Sequence, residues 1–146
     1  MTGDIIQLSD LVGKHCQPKE LIQEELVDGT VVSSGVRGTA FTPDEDGVSV
    51  AWVEHPHHVQ SGVSPVQAMI SCMKNQRTVR KSHKLALYKV QSIQDSGNKF
   101  GKEISVVHDP LDGYECHGLI KGIDPNAGDL LELIAAECIS MEAMLT

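Results

Sequence analysis

Apolar residues recur along the chain at two spacings, one typical of strands and one typical of helices. Short apolar or alternating runs predict strands at Ile104–His108, Cys116–Ile123, Val48–Glu54 and Lys84–Ile93. Two further strands are expected at Thr30–Ser34 and Val36–Phe41, separated by a break or bulge at Gly35. A turn is expected at Ser96–Gly101. These runs are grouped along the chain and do not alternate singly with helices.

Three stretches have helical spacing. Pro18–Val27 carries apolar residues at helical intervals, with Pro18 suited to a first turn and Gly29 to an exit. Ser64 and Pro65 are typical of a helix start. The apolar face that follows is Val66, Met69, Ile70 and Met73. A last helix, capped by Asp124 or Asp129, would bury the stripe Leu130, Leu131, Ile134, Cys138, Met141 and Leu145.

This arrangement predicts an α+β fold. Grouped strands favour a mainly antiparallel or mixed sheet, and we expect about three helices to pack on one of its faces. The length of 146 residues fits a single globular domain, residues 1–146. No signal peptide is recognisable, and no apolar run approaches the roughly 20 residues of a membrane span. The chain has four cysteines and no C-x-x-C pair, which predicts a cytosolic protein with reduced thiols.

The charged residues are distributed unevenly along the chain. The net charge is −8, yet residues 74–102 carry eight Lys and Arg against one Asp, which leaves −15 for the remainder. Such a basic zone predicts contact with an acidic or phosphate-bearing partner, or a solvated surface that offsets the acidic body. Aromatic residues are only 3% of the chain, which disfavours reading of single-stranded bases by stacking.

The loop between the two apolar runs at 104–123 concentrates the reactive side chains. His108 and Asp109 end the first run, and Cys116 and His117 begin the second. An imidazole beside a carboxylate is suited to general acid–base catalysis, and His117 is the expected partner of His108 if the two strands pair. The alternative is structural, because the Asp-Pro and Asp-Gly pairs of this loop are common turn formers.

Arg37 stands between Gly35 and Gly38. An Arg in such a setting is suited to holding a phosphate or carboxylate through its two-pronged donor group. The alternative is a bulged strand edge with a surface Arg.

The sequence evidence for a metal site or a reactive thiol is weaker than that for acid–base catalysis. His55, His57 and His58, together with Cys116 and His117, supply zinc-type ligands, but their spacing matches no zinc motif. We therefore expect no metal and no cofactor. Nucleophilic cysteine catalysis would require a thiolate near a His, for which Cys116 is one candidate. Cys16, in K-H-C-Q-P before a predicted helix, has an environment of the kind that can lower a thiol pKa.

Two functional hypotheses follow. The first is a small cytosolic accessory or interaction module that docks a protein partner through the basic zone, with a nucleic acid or nucleotide as an alternative ligand. Its binding residues would be Arg77, Arg80, Lys81 and Lys84. The second is a small hydrolase or transferase acting on a phosphate-bearing substrate. In it His108 and His117 supply acid–base chemistry, Asp109 orients one of them and Arg37 holds the anion. Homodimerisation through the last helix is compatible with both.

The order of the short motifs resembles that of small bacterial or phage proteins. The pieces are S-S…A-F-x-P at residues 33–43, V-S-V at 48–50 and H-D-P…C-H-G-L-I at 108–120. This resemblance implies no activity.

Overall fold

The largest element of the fold is a six-stranded antiparallel sheet, seen in a computed structural model that describes residues 3–59 and 62–144. The strands are β1 (Leu11–Cys16), β2 (Leu21–Glu25), β3 (Val31–Val36), β4 (Val48–Trp52), β5 (Lys84–Lys89), β6 (Ser105–His108), β7 (His117–Lys121) and β8 (Ser140–Ala143). The large sheet has the order β6-β7-β4-β1-β5-β8, and β2 and β3 form a separate hairpin. The predicted α+β class and the pairing of the strands around the 108–117 loop are confirmed.

The helices are α1 (Pro56–Val59), α2 (Pro65–Lys74), α3 (Val90–Lys99) and α4 (Gly128–Ala136), with 3-10 turns at Pro18–Glu20 and Gly38–Phe41. The predicted start of α2 is confirmed, because the Ser64 side chain accepts a hydrogen bond from the Gln67 backbone N–H. Among the described residues, no helix is both long enough and apolar enough to cross a membrane.

Helices cover both faces of the sheet, so the expectation that they pack on one face is wrong. On the face that we call the α2 face, Met69, Ile70 and Met73 of α2 pack with Leu85 and Leu87 of β5. The opposite face, the α4 face, is covered by α3, α4 and the turn at Gly38–Phe41. Its core includes Val12, Val50, Tyr88, Ile93, Val106, Ile120, Leu130 and Ile134. The central strands are buried on both faces, so apolar residues follow one another along them. An alternating pattern, which assumes a single buried face, does not predict helices on both sides of the sheet.

The predicted helix at Pro18–Val27 is wrong. After a 3-10 turn at Pro18–Glu20, the chain forms β2, which pairs antiparallel with β3. Gly29, with φ of 86°, lies in the hairpin turn, and the Asp28 carboxylate accepts a hydrogen bond from the Thr30 N–H. Asp-Gly is a hairpin signal, and pairing with β3 overrode the helical spacing of the apolar residues.

The strand predicted at Val36–Phe41 is wrong as well. β3 runs through Gly35 to Val36, and the residues from Gly38 onward form a 3-10 turn packed on α4. The expected irregularity lies one residue earlier, because Ile22 pairs with Gly35 and Gln23 with Ser33, which leaves Ser34 bulged.

Two boundaries in the second half differ from expectation. The strand predicted at Lys84–Ile93 ends at Lys89, where α3 begins. The predicted turn at Ser96–Gly101 falls mainly within α3. Gly97 lies within this helix, and its missing side chain lets Ile104 pack closely, since a Cβ there would lie 2.7 Å from Ile104 Cδ1.

The last helix is shorter than predicted. α4 ends at Ala136, and β8 follows and pairs with β5, so Cys138 and Met141 lie beyond the helix. Asp124 closes a turn by accepting from the Asn126 N–H, and the residue that precedes α4 is Ala127. Leu145 lies outside the described residues.

We predict that two glycine substitutions differ strongly in their effect on stability. Gly47 has φ of 129°, and a Cβ there would lie 2.5 Å from the Ile120 carbonyl oxygen, so Gly47→Ala should lower the free energy of unfolding by roughly 3 kcal/mol. Gly29 has φ of 86° but open space around it, so Gly29→Ala should cost only about 1 kcal/mol. Urea denaturation of the two variants measures both values, and equal losses would contradict this packing around Gly47.

Candidate functional site

The ends of β6 and β7 meet at the predicted reactive loop. His108 pairs with Gly118 in the ladder, and the Asp109 N–H donates to the His117 carbonyl oxygen at 2.9 Å. Because successive strand residues point to opposite faces, His108 and His117 lie on opposite faces of the sheet. His108 faces the α4 side, where its ring contacts Trp52. The expected partnership of the two histidines is therefore wrong.

His117 is held between Asp109 and a residue that the sequence did not single out, Ser49. Its Nδ1 lies 2.8 Å from the Asp109 carbonyl oxygen and 3.2 Å from Asp109 Oδ2. Its Nε2 lies 3.1 Å from Ser49 Oγ. Since two oxygen acceptors face Nδ1, that nitrogen carries the proton, and the Nε2 lone pair can accept the Ser49 hydroxyl proton. The three side chains form the series Ser49–His117–Asp109.

Three segments bring this series together. Asp109 and His117 lie at the two ends of one loop, and Ser49 lies on β4, which pairs with β7 through Ser49 with Leu119 and Ala51 with His117. Ser49 and His117 are therefore diagonal neighbours on the α2 face. The His117 side chain is 6% exposed and that of Asp109 is 29% exposed, while Ser49 is partly buried, so the middle of the series is its most enclosed part.

A tyrosine and an arginine lie beside the series. The Tyr114 ring packs against the His117 ring with centroids 5.2 Å apart. Burial raises the pKa of the Tyr114 hydroxyl, and the positive charge of Arg77 opposes that rise. Arg77 follows α2, and its backbone N–H donates to Met73 O at 3.0 Å. Of the basic residues proposed for binding, Arg77 is thus the one whose charge acts on Tyr114, the neighbour of His117.

Two buried histidines lie on the same face. His15 on β1 and His83, just before β5, are joined by a 2.8 Å contact between His15 Nε2 and His83 Nδ1. His15 pairs in the ladder with Leu85, whose side chain belongs to the α2 face. Burial lowers the pKa of His15 to about 4, and the charges of Arg77, His83 and Lys14 act in the same direction. His15 is therefore neutral at pH 7.

A second histidine group lies at the end of β4. The His55 ring contacts the rings of Trp52, His58 and His108, with centroid distances of 5.3 to 5.6 Å. His58 Nδ1 donates to Val53 O at 2.8 Å. The side chain of His57 lies outside the described residues. Within residues 3–59 and 62–144, no three His, Cys, Asp or Glu side chains are arranged to hold a metal ion.

Cys16, Cys116 and Cys138 are poor nucleophiles in this environment. Cys16 and Cys116 are fully buried, and burial raises the pKa of both thiols, that of Cys16 to about 12. The sequence environment of Cys16 does not lower its pKa, because the thiol lies inside the α4-face core. Burial also raises the pKa of Cys138.

Arg37 lies at the base of the hairpin. Its Nε donates to Leu21 O at 3.1 Å, and its backbone begins the 3-10 turn that packs on α4. In the described part of the chain it contacts neither Asp109 nor His117. The expected grouping of Arg37 with His108 and His117 is therefore not formed.

The basic zone does not form one patch. Arg80 and Lys81 are exposed, whereas Arg77 and Lys84 are partly buried. Lys84 and Lys89 lie at opposite ends of β5, and Lys99 ends α3. Lys81 and Lys84 border a cavity of about 600 Å³ that is also lined by Val31 and Val32 of the hairpin.

Comparison of the chain with protein-family models, with curated proteins and with solved structures finds no match.

We predict that His15 makes stability depend on pH. Its pKa is about 4 in the fold, below the ordinary 6.5, so the unfolded chain binds the extra proton more readily. This contribution to stability is complete above pH 6.5 and is lost as the pH falls from 6.5 to 4. It should reach roughly 3 kcal/mol. Urea denaturation across this range should show a shallower fall for His15→Gln than for the wild type. Parallel profiles would contradict the lowered pKa of His15.

Proposed function

We propose that the protein is a small hydrolase in which Ser49 is the nucleophile, His117 the general base and Asp109 the residue that orients His117. The observation that carries this proposal is the hydrogen-bonded series itself, with its contacts of 3.1 Å to Ser49 Oγ and 3.2 Å to Asp109 Oδ2. A base must lie about 2.6–3.2 Å from the proton that it takes, and a third group must hold its tautomer. Both conditions are met.

The reaction class is ester hydrolysis. Ser49 Oγ attacks the ester carbonyl carbon as its proton passes to His117 Nε2, and His117 then gives that proton to the departing alkoxide. A water molecule next loses a proton to His117 and attacks the acyl-serine. The acid leaves, and the proton returns to Ser49. Throughout, Asp109 stabilises the charged imidazole from the Nδ1 side.

This proposal keeps two of the residues inferred from sequence and replaces two. His117 and Asp109 retain their acid–base and orienting roles. His108 is not part of the series because it faces the other side of the sheet. Arg37 is replaced as the nearby cation by Arg77, whose charge acts on Tyr114 beside His117.

A second candidate function is docking of an acidic partner protein. The observation that favours it is the cavity bordered by Lys81 and Lys84 and closed on its other side by apolar residues of β3. Such a cleft suits an extended acidic segment with apolar side chains. Lys81→Glu together with Lys84→Glu would abolish this docking and leave Ser49 chemistry intact.

Both proposals are compatible with a cytosolic protein. The four cysteines are free, and two of them are fully buried, as in a protein kept in a reducing compartment.

We predict that a fluorophosphonate probe, which forms a covalent bond to activated serines, labels Ser49. Ser49→Ala should abolish labelling, because the nucleophile is lost. His117→Ala should slow labelling by roughly 1,000-fold, and Asp109→Asn by at least about tenfold. The rate is read from gel fluorescence over time, and the site from the mass of the modified peptide.

The matched control is Ser34→Ala. Ser34 is exposed on the bulge of β3, and its hydroxyl contacts the Ile22 carbonyl oxygen rather than a histidine. This variant should label at the wild-type rate. Circular dichroism should show that all four variants fold. If Ser49→Ala protein still labels on another serine at the wild-type rate, the proposed mechanism fails.

A further inference from the structure

The six-stranded sheet has one covered edge and one open edge. The segment from Gly3 to Ile6 runs along β6, where the Gly3 N–H donates to His108 O at 2.7 Å and the Ile6 N–H donates to Val106 O at 2.9 Å. At the other edge, β8 pairs with β5 on one side, and no strand within residues 3–59 and 62–144 pairs with its outer side. β8 therefore presents main-chain N–H and C=O groups that have no partner strand.

β3 has an open edge as well, because it pairs with β2 alone in the separate hairpin. Two cavities, of about 600 and 420 Å³, lie between the hairpin and β8. Met141 of β8 lines both of them, so the two cavities adjoin. We call them together the edge groove.

The residues that line the edge groove follow one another along the chain. Residues 31–33 line the larger cavity and residues 34–36 line the smaller one, which is bounded on its other side by residues 138–141. Successive side chains of a strand point to opposite faces, so a cavity over one face would be lined by every second residue. The consecutive residues indicate instead that the groove runs along the edges of β3 and β8.

The edge groove combines apolar walls with a positive end. Val31, Val32 and Ile139 are 60%, 37% and 58% exposed, so apolar surface is open to water along both sides. In the described lining, the charged side chains of the larger cavity are Lys81 and Lys84. The smaller cavity has Glu132, whose carboxylate accepts from the Gly38 N–H at 3.0 Å. A segment with acidic and apolar side chains complements these walls.

We propose that the edge groove binds an extended acidic segment of a partner protein, which adds a strand between β8 and β3. This inference rests on the second candidate function, docking of an acidic partner, and adds the way in which the partner is held. Main-chain hydrogen bonds to the two open edges provide affinity, and alternate side chains of the segment enter the groove. Because β3 is six residues long, the added strand spans about 20 Å.

The experiment measures binding of a synthetic peptide, acetyl-E-V-E-V-E-V-E-amide, by calorimetric titration at pH 7 and low salt. This peptide should bind with a measurable Kd, and hydrogen exchange at the amides of β3 and β8 should slow when it is added. The matched peptide is methylated on the backbone nitrogens of its valines, so it keeps the charge and loses N–H donors. It should bind at least tenfold more weakly, which is about 1.4 kcal/mol.

The two peptides distinguish strand addition from docking alone. Equal affinity would overturn strand addition and leave docking in the cleft intact, whereas failure of both peptides to bind at about 1 mM would overturn both. The basic peptide acetyl-K-V-K-V-K-V-K-amide should bind at least tenfold more weakly than the acidic one. Equal binding of these two would refute an acidic partner.

Variants of the hairpin test the location. Val32→Glu places a carboxylate in the edge groove and should weaken binding of the acidic peptide at least tenfold. Val27→Glu is the matched control, because it makes the same change at an exposed valine outside the groove lining, and it should change Kd less than twofold. Lys81→Gln should also weaken binding and provides a second variant if Val32→Glu alters the fold. Equal weakening by Val32→Glu and Val27→Glu would overturn the proposed location.

Two further measurements separate this inference from its alternatives. Ser49→Ala should bind the acidic peptide as the wild type does, so peptide binding and Ser49 labelling can succeed or fail independently. Analytical ultracentrifugation without peptide tests a second copy of the chain as the occupant. A dimer in which the β8 amides are already protected from exchange would overturn the proposal of a partner segment.

Discussion

The pairing of β1 with β5 is the interaction on which the rest of the structure depends. It joins all six residues of β1 to all six of β5, from Leu11 with Lys89 to Cys16 with Lys84. β4 and β8 attach to the outer sides of this pair, and both helical layers rest on it. Gly13 allows the α2 layer to approach, since a Cβ there would lie 2.8 Å from both Leu85 Cδ1 and Met69 Cε. A larger residue would push α2 away from the sheet.

Local signals in the sequence predicted those parts of the fold that local chemistry determines. The Ser64-Pro65 start of α2 and the loop between β6 and β7 are of this kind, because a cap and a turn require particular residues within a few positions. The helix expected at Pro18–Val27 was wrong since its outcome depended on β3, several residues away. α3 was missed because its buried face contains Ser96 and Gly97, which are small rather than strongly apolar.

The candidate site likewise combines residues that local sequence signals identify with a residue that only the fold brings to them. Asp109 and His117 are eight residues apart, and their loop drew attention to them. Ser49 lies 68 residues before His117 and meets it only because β4 pairs with β7. The V-S-V run is an ordinary strand pattern, so nothing local marks its serine. Arg77 was expected in a surface patch, whereas it is partly buried and its charge acts on Tyr114, beside His117.

The β2–β3 hairpin gives the molecule a part that can open alone. Leu21 and Val36 anchor its base in the α4-face core, whereas every residue from Ile22 to Val32 is exposed to solvent, and Val27 is fully so. Separation of the hairpin from the six-stranded sheet would therefore expose little additional apolar surface to water. The hairpin should fray from the Asp28-Gly29 tip and exchange its amide hydrogens with water long before β1 and β5 do. Such openings would widen the cleft beside Lys81 without disturbing the packed strands beneath.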